Sequence, residues 1–346
     1  MMPEHRRLIG RRMMWRQSTL PPLVLTAMLV LGVLTTTSAA ETPPPTKVRL
    51  IGFLGFNVPA VAHHHVGIFR TGLRESGWID GQNVTIEFRW AEGRYERLAD
   101  MAAELVRLRV EVIVASGAAA VLAAKRATTT IPIVMAQISD PVALGVVASL
   151  SKPGGNLTGI ANLHAELAPK QLELLREAVG SVSRVAVLLS TQNPGAELIR
   201  RHAKHAMARL GVTLQTVEVT DAGTIERAIV ALKRDRVDAV LVPGDPFFLP
   251  HARQIVGLAV QHRLPAMYGW REVVEMGGLM AYGPHVPELF RRAAGYVDRI
   301  LKGARPADLP IEQPTKFELV INVKIATALG LALPQSLLVR ADSLIE

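Results

Sequence analysis

Ser116-Gly117-Ala118-Ala119 ends a β-branched run, "VEVIVAS" (110–116), and opens a helical one. Almost every side chain there is a methyl, so the chemistry on offer is that of the main chain. If Ser116 caps a helix starting at Gly117, the amides of Gly117, Ala118 and Ala119 point away from the helix. Small side chains let an anion approach them, and the helix dipole adds a favourable potential. A carboxylate suits such a site. A tight strand-to-helix packing turn calls for the same small residues.

Three further junctions share one grammar. Asp140-Pro141, Asn193-Pro194 and Asp245-Pro246 each place a capping side chain before a proline at the first helical position. Capping alone accounts for them, since the side chain accepts from an N2 or N3 amide and proline lacks the donor that would be orphaned. A cap at the ligand face can also touch ligand, and Asp245 best suits the counter-charge for an ammonium. Aromatics are scarce, yet Phe53, Phe56, Phe247, Phe248, Tyr268, Trp270 and Tyr282 lie at or just past strand-like runs. With Asn57 beside Phe56, they describe a ring-lined cleft that stacks a ligand and offers hydrogen bonds. Core packing is the competing role for each ring taken singly. His63-His64-His65 invites a metal, but consecutive helical residues point in different directions, so at most one faces a ligand.

The elements that position these residues alternate. Strand-like runs at 48–54, 83–90, 110–116 and 131–136 lead to helices near 62–76, 94–108, 117–126 and 141–150. The third and fourth are continuously apolar, as expected of a parallel sheet covered on both faces. "SKPGGNLTGIAN" (151–162) interrupts the pattern and is a poor interior for either element. The alternation then restarts: helix 167–179, strand 184–190, helix 195–210, strand 213–219, helix 222–234, strand 238–244, helix 247–262 and strand 265–269. Two more breaks, 277–284 and 302–314, bracket an amphipathic helix. The pattern predicts an α/β protein of two doubly wound parallel-sheet lobes joined by a hinge that the chain crosses three times. In such sheets ligands sit beyond the carboxyl ends of the strands. A multi-stranded hinge closes the lobes on a ligand in the cleft.

The first forty residues read as a leader. Arg6, Arg7, Arg11, Arg12 and Arg16 precede the apolar "PPLVLTAMLVLGVL" (21–34), and Ser38-Ala39-Ala40 makes a cleavage site. This is a secretory signal peptide, too short and wrongly flanked for a stable span. The paired arginines hint at twin-arginine export, which the following residues fit poorly. Part of the formal charge of +9 on the 346-residue chain belongs to this segment. The remaining basic residues alternate with acids and form no nucleic-acid stripe. There is no cysteine, hence neither disulfide nor lipid anchor at the cleavage site. The roughly 300 residues left are enough for two domains, expected in the periplasm without a membrane anchor.

"GLRESGWIDGQNVTIEFRWAEGRYERLADMAAELV", "IVASGAAAVLAAKRATTTIPIVMA", "DPVALGVVASLSKPGGNLTG", "LPAMYGWREVVEMGGLMAYGP" and "ILKGARPADLPIEQPTKFELVINVKIATALGL" resemble the periplasmic substrate-binding proteins of ABC transporters, in the family with tryptophan- and tyrosine-binding members. The resemblance covers nearly the whole chain after the leader. It implies the type I periplasmic-binding-protein fold, with residues 1–40 as signal peptide, 47–161 plus 284–308 as one lobe and 162–283 plus 309–346 as the other. It also implies a monomer that delivers solute to an ABC permease and its ATPase subunits. Carried over by motif, Ser116, Gly117 and Ala118 match the segment expected to hold a ligand carboxylate, and Asp140, Asn193, Asp245 and Tyr282 match other cleft-facing turns. Phe56, Asn57 and Tyr268 complete the candidate set. Many relatives read Gly-Thr-Pro or Ser-Thr-Pro where this chain has Gly117-Ala118-Ala119, so ligand identity is not carried over.

Other function classes fare worse. No G-x-S-x-G elbow, H-E-x-x-H, Walker loop or cysteine nucleophile supports an enzyme, and no motif calls for a cofactor or metal. A DNA-binding repressor on the same fold is disfavoured, since a leader stands in place of the reading head and export removes the chain from DNA. A receptor reporting to a membrane kinase uses the same cleft physics as one feeding a permease, and sequence does not separate the two.

Overall fold

The inner strands of the first sheet are buried because helices cover both faces. The structure, a computed structural model, describes residues 48–346; the leader and its cleavage site lie outside the described residues. Chain order runs β1 (Arg49–Gly55), α1 (Pro59–Glu75), β2 (Val84–Trp90), α2 (Arg97–Arg107), β3 (Val112–Ser116), α3 (Ala118–Ala127), β4 (Ile133–Gln137) and β5 (Leu157–Gly159). The five strands form a parallel sheet in the order β2-β1-β3-β4-β5. Val112 to Ala115 and Ile133 to Ala136 are wholly shielded from solvent, the signature of a doubly covered sheet. α2 buries Leu98, Met101, Ala102 and Leu105, the i, i+3, i+4, i+7 stripe of an amphipathic helix.

The second sheet takes the rest of the chain. It is built from α4 (Ala168–Val179), β6 (Arg184–Ser190), α5 (Ala196–Leu210), β7 (Thr213–Val219), α6 (Ala222–Arg234), β8 (Ala239–Val242), α7 (Ala252–Gln261), β9 (Ala266–Tyr268), α8 (Arg271–Glu275) and β10 (Met280–Pro284). α9 (Val286–Leu301) returns to pack on α1, β3 and β4 of the first sheet. β11 (Phe317–Asn322), α10 (Val323–Ala328), α11 (Gln335–Arg340) and β12 (Ser343–Ile345) then rejoin the second. Its order is β12-β11-β10-β9-β8-β6-β7, parallel except for the antiparallel pair β10–β11. The fold is thus an α/β architecture of two sheets, as the alternation predicts, with one antiparallel pair it does not.

Three segments carry the chain between sheets, and they lie side by side. Ile160 bridges Glu312 in parallel, the Ala161 amide donates to the Glu312 carbonyl at 2.9 Å, and Pro284 opposes Phe317. α1 and α9 cross closely because position 72 is glycine: a Cβ there would stand 2.9 Å from the Ala294 methyl.

Four local expectations are corrected. Residues 141–150 form turns, not a helix: Asp140 takes φ 29° and Gly145 φ 65°, so the chain leaves helical space after one turn. The predicted 247–262 helix divides into a 3-10 turn, Pro246–Phe248, and α7, which starts at Ala252. The break at 151–162 contains β5, a short edge strand of the first sheet, and the break at 277–284 contains β10. Hydrogen bonding along an existing sheet edge supplies what local propensity lacks there. Among the described residues no helix is long and apolar enough to cross a membrane.

Candidate functional site

The site grows from the carboxyl end of β3. A register shift between Ala115 and Ser116 pairs Ser116 with Gln137 at the end of β4. Gly117 then adopts φ 92°, open to glycine at little cost and strained for any other residue. Two parts of the sequence reading change here. Gly117, not Ser116, is the N-cap, and no side chain caps α3. The Gly117 amide donates to the Gln137 carbonyl at 2.8 Å and is therefore consumed. The Val121 amide reaches back to the Gly117 carbonyl at 3.0 Å, so the first-turn donors of α3 are those of Ala118, Ala119 and Ala120. The open donors at this junction remain main chain, displaced by one residue.

Those three residues line a small chamber of about 220 Å³, counting all space unfilled by atoms. Its far wall is Asn193, Asp245 and Pro246, from the second sheet, and Phe56 and Tyr95 complete it. Asp245 is 1% exposed. It accepts from the Phe247 amide at 2.9 Å, and the Asn193 side chain and the Tyr95 hydroxyl beside it favour its charged form. Burial pushes its carboxyl up to about 6, and those three donors limit the rise. The Tyr95 phenol is held protonated well above its ordinary range by the same burial and by the Asp245 charge. Asn193 also accepts from the Gly195 amide at 2.8 Å, capping the turn before α5. The caps of the second sheet thus have a double duty, holding their own turns and walling the chamber.

A larger neighbouring chamber of about 400 Å³ shares Phe56, Ser116 and Pro246. Its rings are Phe53, Phe56, Trp90, Trp270 and Phe290, joined by Asn57, His65 and Gln137. Three buried polar atoms of its lining have no partner in the protein: Asn57 Oδ1, Gln137 Oε1 and Trp270 Nε1. Buried polar groups are normally satisfied. Two acceptors and a donor left open in an aromatic chamber describe a site for a ligand with an apolar body and polar points.

Of the ten candidate residues, the structure brings Phe56, Asn57, Ser116, Gly117, Ala118, Asn193 and Asp245 to the two chambers. Three lie apart from them. Asp140 caps its own turn, accepting from the Ala143 amide at 2.9 Å. The Tyr268 ring is consumed by core packing, so close over Gly278 that a Cβ there would stand 2.7 Å from it. Tyr282 stacks on Phe317, with centroids 6.1 Å apart. Sequence reasoning missed Tyr95, Gln137 and Phe290. Gln137 carried a usable signal, being the polar residue at the carboxyl end of an apolar strand. Phe290 carried none, since nothing local says that α9 packs on the first sheet. Of the three adjacent histidines in α1, His63 and His64 are exposed and His65 faces the chamber.

The profile of the family described as ABC transporter substrate binding protein matches residues 56–345. A tyrosine-binding protein of Clostridioides difficile (strain R20291) is 26% identical over 265 residues, covering 76% of this chain and 75% of that protein. Among solved structures, an ABC domain from Streptococcus pneumoniae in complex with L-Trp superimposes with TM-score 0.81 at 29% identity, covering 86% of this chain and 100% of the other. A conserved domain protein from Vibrio cholerae O1 biovar El Tor gives TM-score 0.81 at 24% identity over 86% and 100%, and shares the fold. The architecture is the type I periplasmic-binding-protein fold. The two sheets, the chambers between them and the matching profile have one consequence: this chain belongs to the ABC transporter substrate binding protein family.

Proposed function

We propose that the chain captures an α-amino acid with an aromatic or bulky apolar side chain and presents it to an ABC permease driven by cytoplasmic ATPases. In this reading residues 47–161 with 284–308 and residues 162–283 with 309–346 move as two lobes about the three crossing segments. The carboxylate rests on the amides of Ala118, Ala119 and Ala120, the ammonium faces Asp245, and the side chain fills the aromatic chamber. The observation that carries this is the buried Asp245 carboxylate facing the uncapped start of α3 across one small chamber. A zwitterion satisfies both ends at once; a simple acid leaves Asp245 unmatched, and a simple amine leaves the amides unmatched. The tyrosine-binding and L-Trp-bound relatives support the solute class. Ligand contacts both lobes only when they are shut, so it shifts the open–closed equilibrium by its differential affinity. The leader and the family support a periplasmic monomer.

Thermal unfolding against L-tryptophan, L-tyrosine, tryptamine and indole-3-propionate tests the assignment. A ligand at a hundred times its Kd adds about 2.7 kcal/mol, which raises Tm by several degrees. The rise is expected with the amino acids and not with the amine or the acid. Equal stabilisation by indole-3-propionate would remove Asp245 from the site, and none by any amino acid would reject the solute class.

A further inference from the structure

The triple histidine of α1 leaves one ring for explanation. His65 is 8% exposed and stacks flat on Phe290 of α9, with centroids 5.0 Å apart and 3° between planes. Its Nε2 stands 3.3 Å from Glu272 Oε1. Glu272 lies in the first turn of α8, which packs on β9, β10 and β11 of the second sheet. One hydrogen bond thus ties the two sheets' helices together at the wall of the aromatic chamber, beside Trp270. Burial would raise the Glu272 carboxyl, but the His65 hydrogen bond and charge, with the helix amide and His64, hold it below its usual range. The acid is thus held as an anion facing the imidazole.

Most charged groups around the pair are engaged elsewhere. On α1, Arg70 pairs with Asp80 and Glu75 with Arg291, and Arg74 lies on the exposed side. On α8, Arg271 pairs with Glu275 and Glu318. Glu318 of β11 also takes His285 and Lys316. α7 carries Arg253, which is exposed, and β9 and β10 bring the phenols Tyr268 and Tyr282, both held protonated by burial. On α9, Arg292 and Arg299 go to Glu312, Asp298 goes to Lys302 and Trp78, and Tyr296 donates to the Pro310 carbonyl. Glu288 acts on Arg291. His164, buried against Trp270 at 4.9 Å, feels the Glu272 charge and is kept neutral by burial.

We infer that His65 and Glu272 form a proton-strengthened latch that holds α8 against α1 and keeps the aromatic chamber shut, a reading that rests on the hinge closure proposed above. With neutral His65 the latch is an ordinary hydrogen bond; with His65 charged it is a charge-assisted one in a largely dry setting. Adding that proton shifts the unliganded closed-to-open ratio by roughly five- to tenfold towards closed. His65 and Glu272 are positioning residues: they act on the solute through the wall they hold.

The absence of native cysteine makes the test direct. Spin labels at Arg107→Cys on α2 and Arg201→Cys on α5, both exposed, report the lobe separation by pulsed dipolar spectroscopy. The protein without amino acid is measured at pH 8 and 5.5, and again with L-tryptophan. The short-distance population is expected to rise as pH falls from 8 to 5.5, by up to the stated factor. The rise is expected to vanish in His65→Gln and in Glu272→Gln, which keep a hydrogen-bonding amide, and to persist in His64→Gln. The two variants lie on opposite lobes, so one that fails to fold leaves the other to decide. A distance that responds to L-tryptophan but not to pH overturns the latch and leaves the hinge. A response to pH alone supports the latch and rejects that solute. One unchanging distance throughout overturns both, and a pH response surviving in the folded Gln variants overturns the latch.

Discussion

Replacing Asp245 by asparagine is expected to stabilise the empty protein while ruining its affinity. The carboxyl titrates near 6 in the fold against an ordinary 3.8, chiefly because burial disfavours its charge. The sign follows from linkage. Between those values the unfolded chain gives up its proton first, so the raised acid costs folding stability as pH climbs from about 4 to 6, and the cost stays constant above. The gap corresponds to about 3 kcal/mol at pH 7–8. The asparagine side chain keeps an oxygen for the Phe247 amide and carries no charge to desolvate. Chemical denaturation at pH 8 should show Asp245→Asn more stable by up to about 3 kcal/mol, or about 5 °C in Tm for a domain of this size, with the difference vanishing near pH 4. Calorimetric titration of the same variant with L-tryptophan should show affinity lost by tenfold or more, because the ammonium has lost its counter-charge. Equal stability of the two proteins at pH 8 would mean that Asn193, Tyr95 and the Phe247 amide fully compensate the charge. The acid would then not be held under strain for a cation.

Other expectations follow from the same geometry. His164 is 1% exposed with neither ring nitrogen hydrogen-bonded, and burial pushes it down to about 4. The unfolded chain takes its proton first as pH falls from 6.5, so about 3 kcal/mol of stability is lost by pH 4. Denaturation curves of His164→Met should lack that component, and a matching acid loss in both proteins would assign it elsewhere. Gly117→Ala forces a methyl-bearing residue to φ 92° and should cost about 1–2 kcal/mol while misaligning the first-turn amides; unchanged Tm and affinity would show that the turn relaxes freely. Gln137→Leu removes an unpartnered buried oxygen, and should gain roughly 1 kcal/mol without solute and weaken amino-acid binding. Unchanged affinity would take the Gln137 side chain out of the site.

Much of the fold was legible because it rests on local patterns. The apolar runs of β3 and β4 are readable because both faces of a parallel sheet are buried, and the strand-end caps are readable because they serve their own turns. Residues 141–150 misled for a local reason, since Asp-Pro followed by small apolar residues satisfies every helix-start criterion while Gly145 ends the run. β5 and β10 misled for a non-local one: each is a strand because a neighbouring sheet edge accepts it, and neither run announces that partner.

The sequence by itself determined the α/β alternation, the three passages between sheets, and the main-chain character of the chemistry on offer at 116–119. Those follow from periodicity, from glycine and proline placement, and from the lack of any large side chain at that junction. Only the tertiary structure decided which donors remain there, because Gly117 spends its amide on Gln137. It also separated the tyrosines that fill the core from Tyr95, which faces Asp245 from the other sheet. Orientation towards a cleft depends on distant elements meeting, as α9 meets α1 and α8 meets His65, and no stretch of sequence records what it will be packed against.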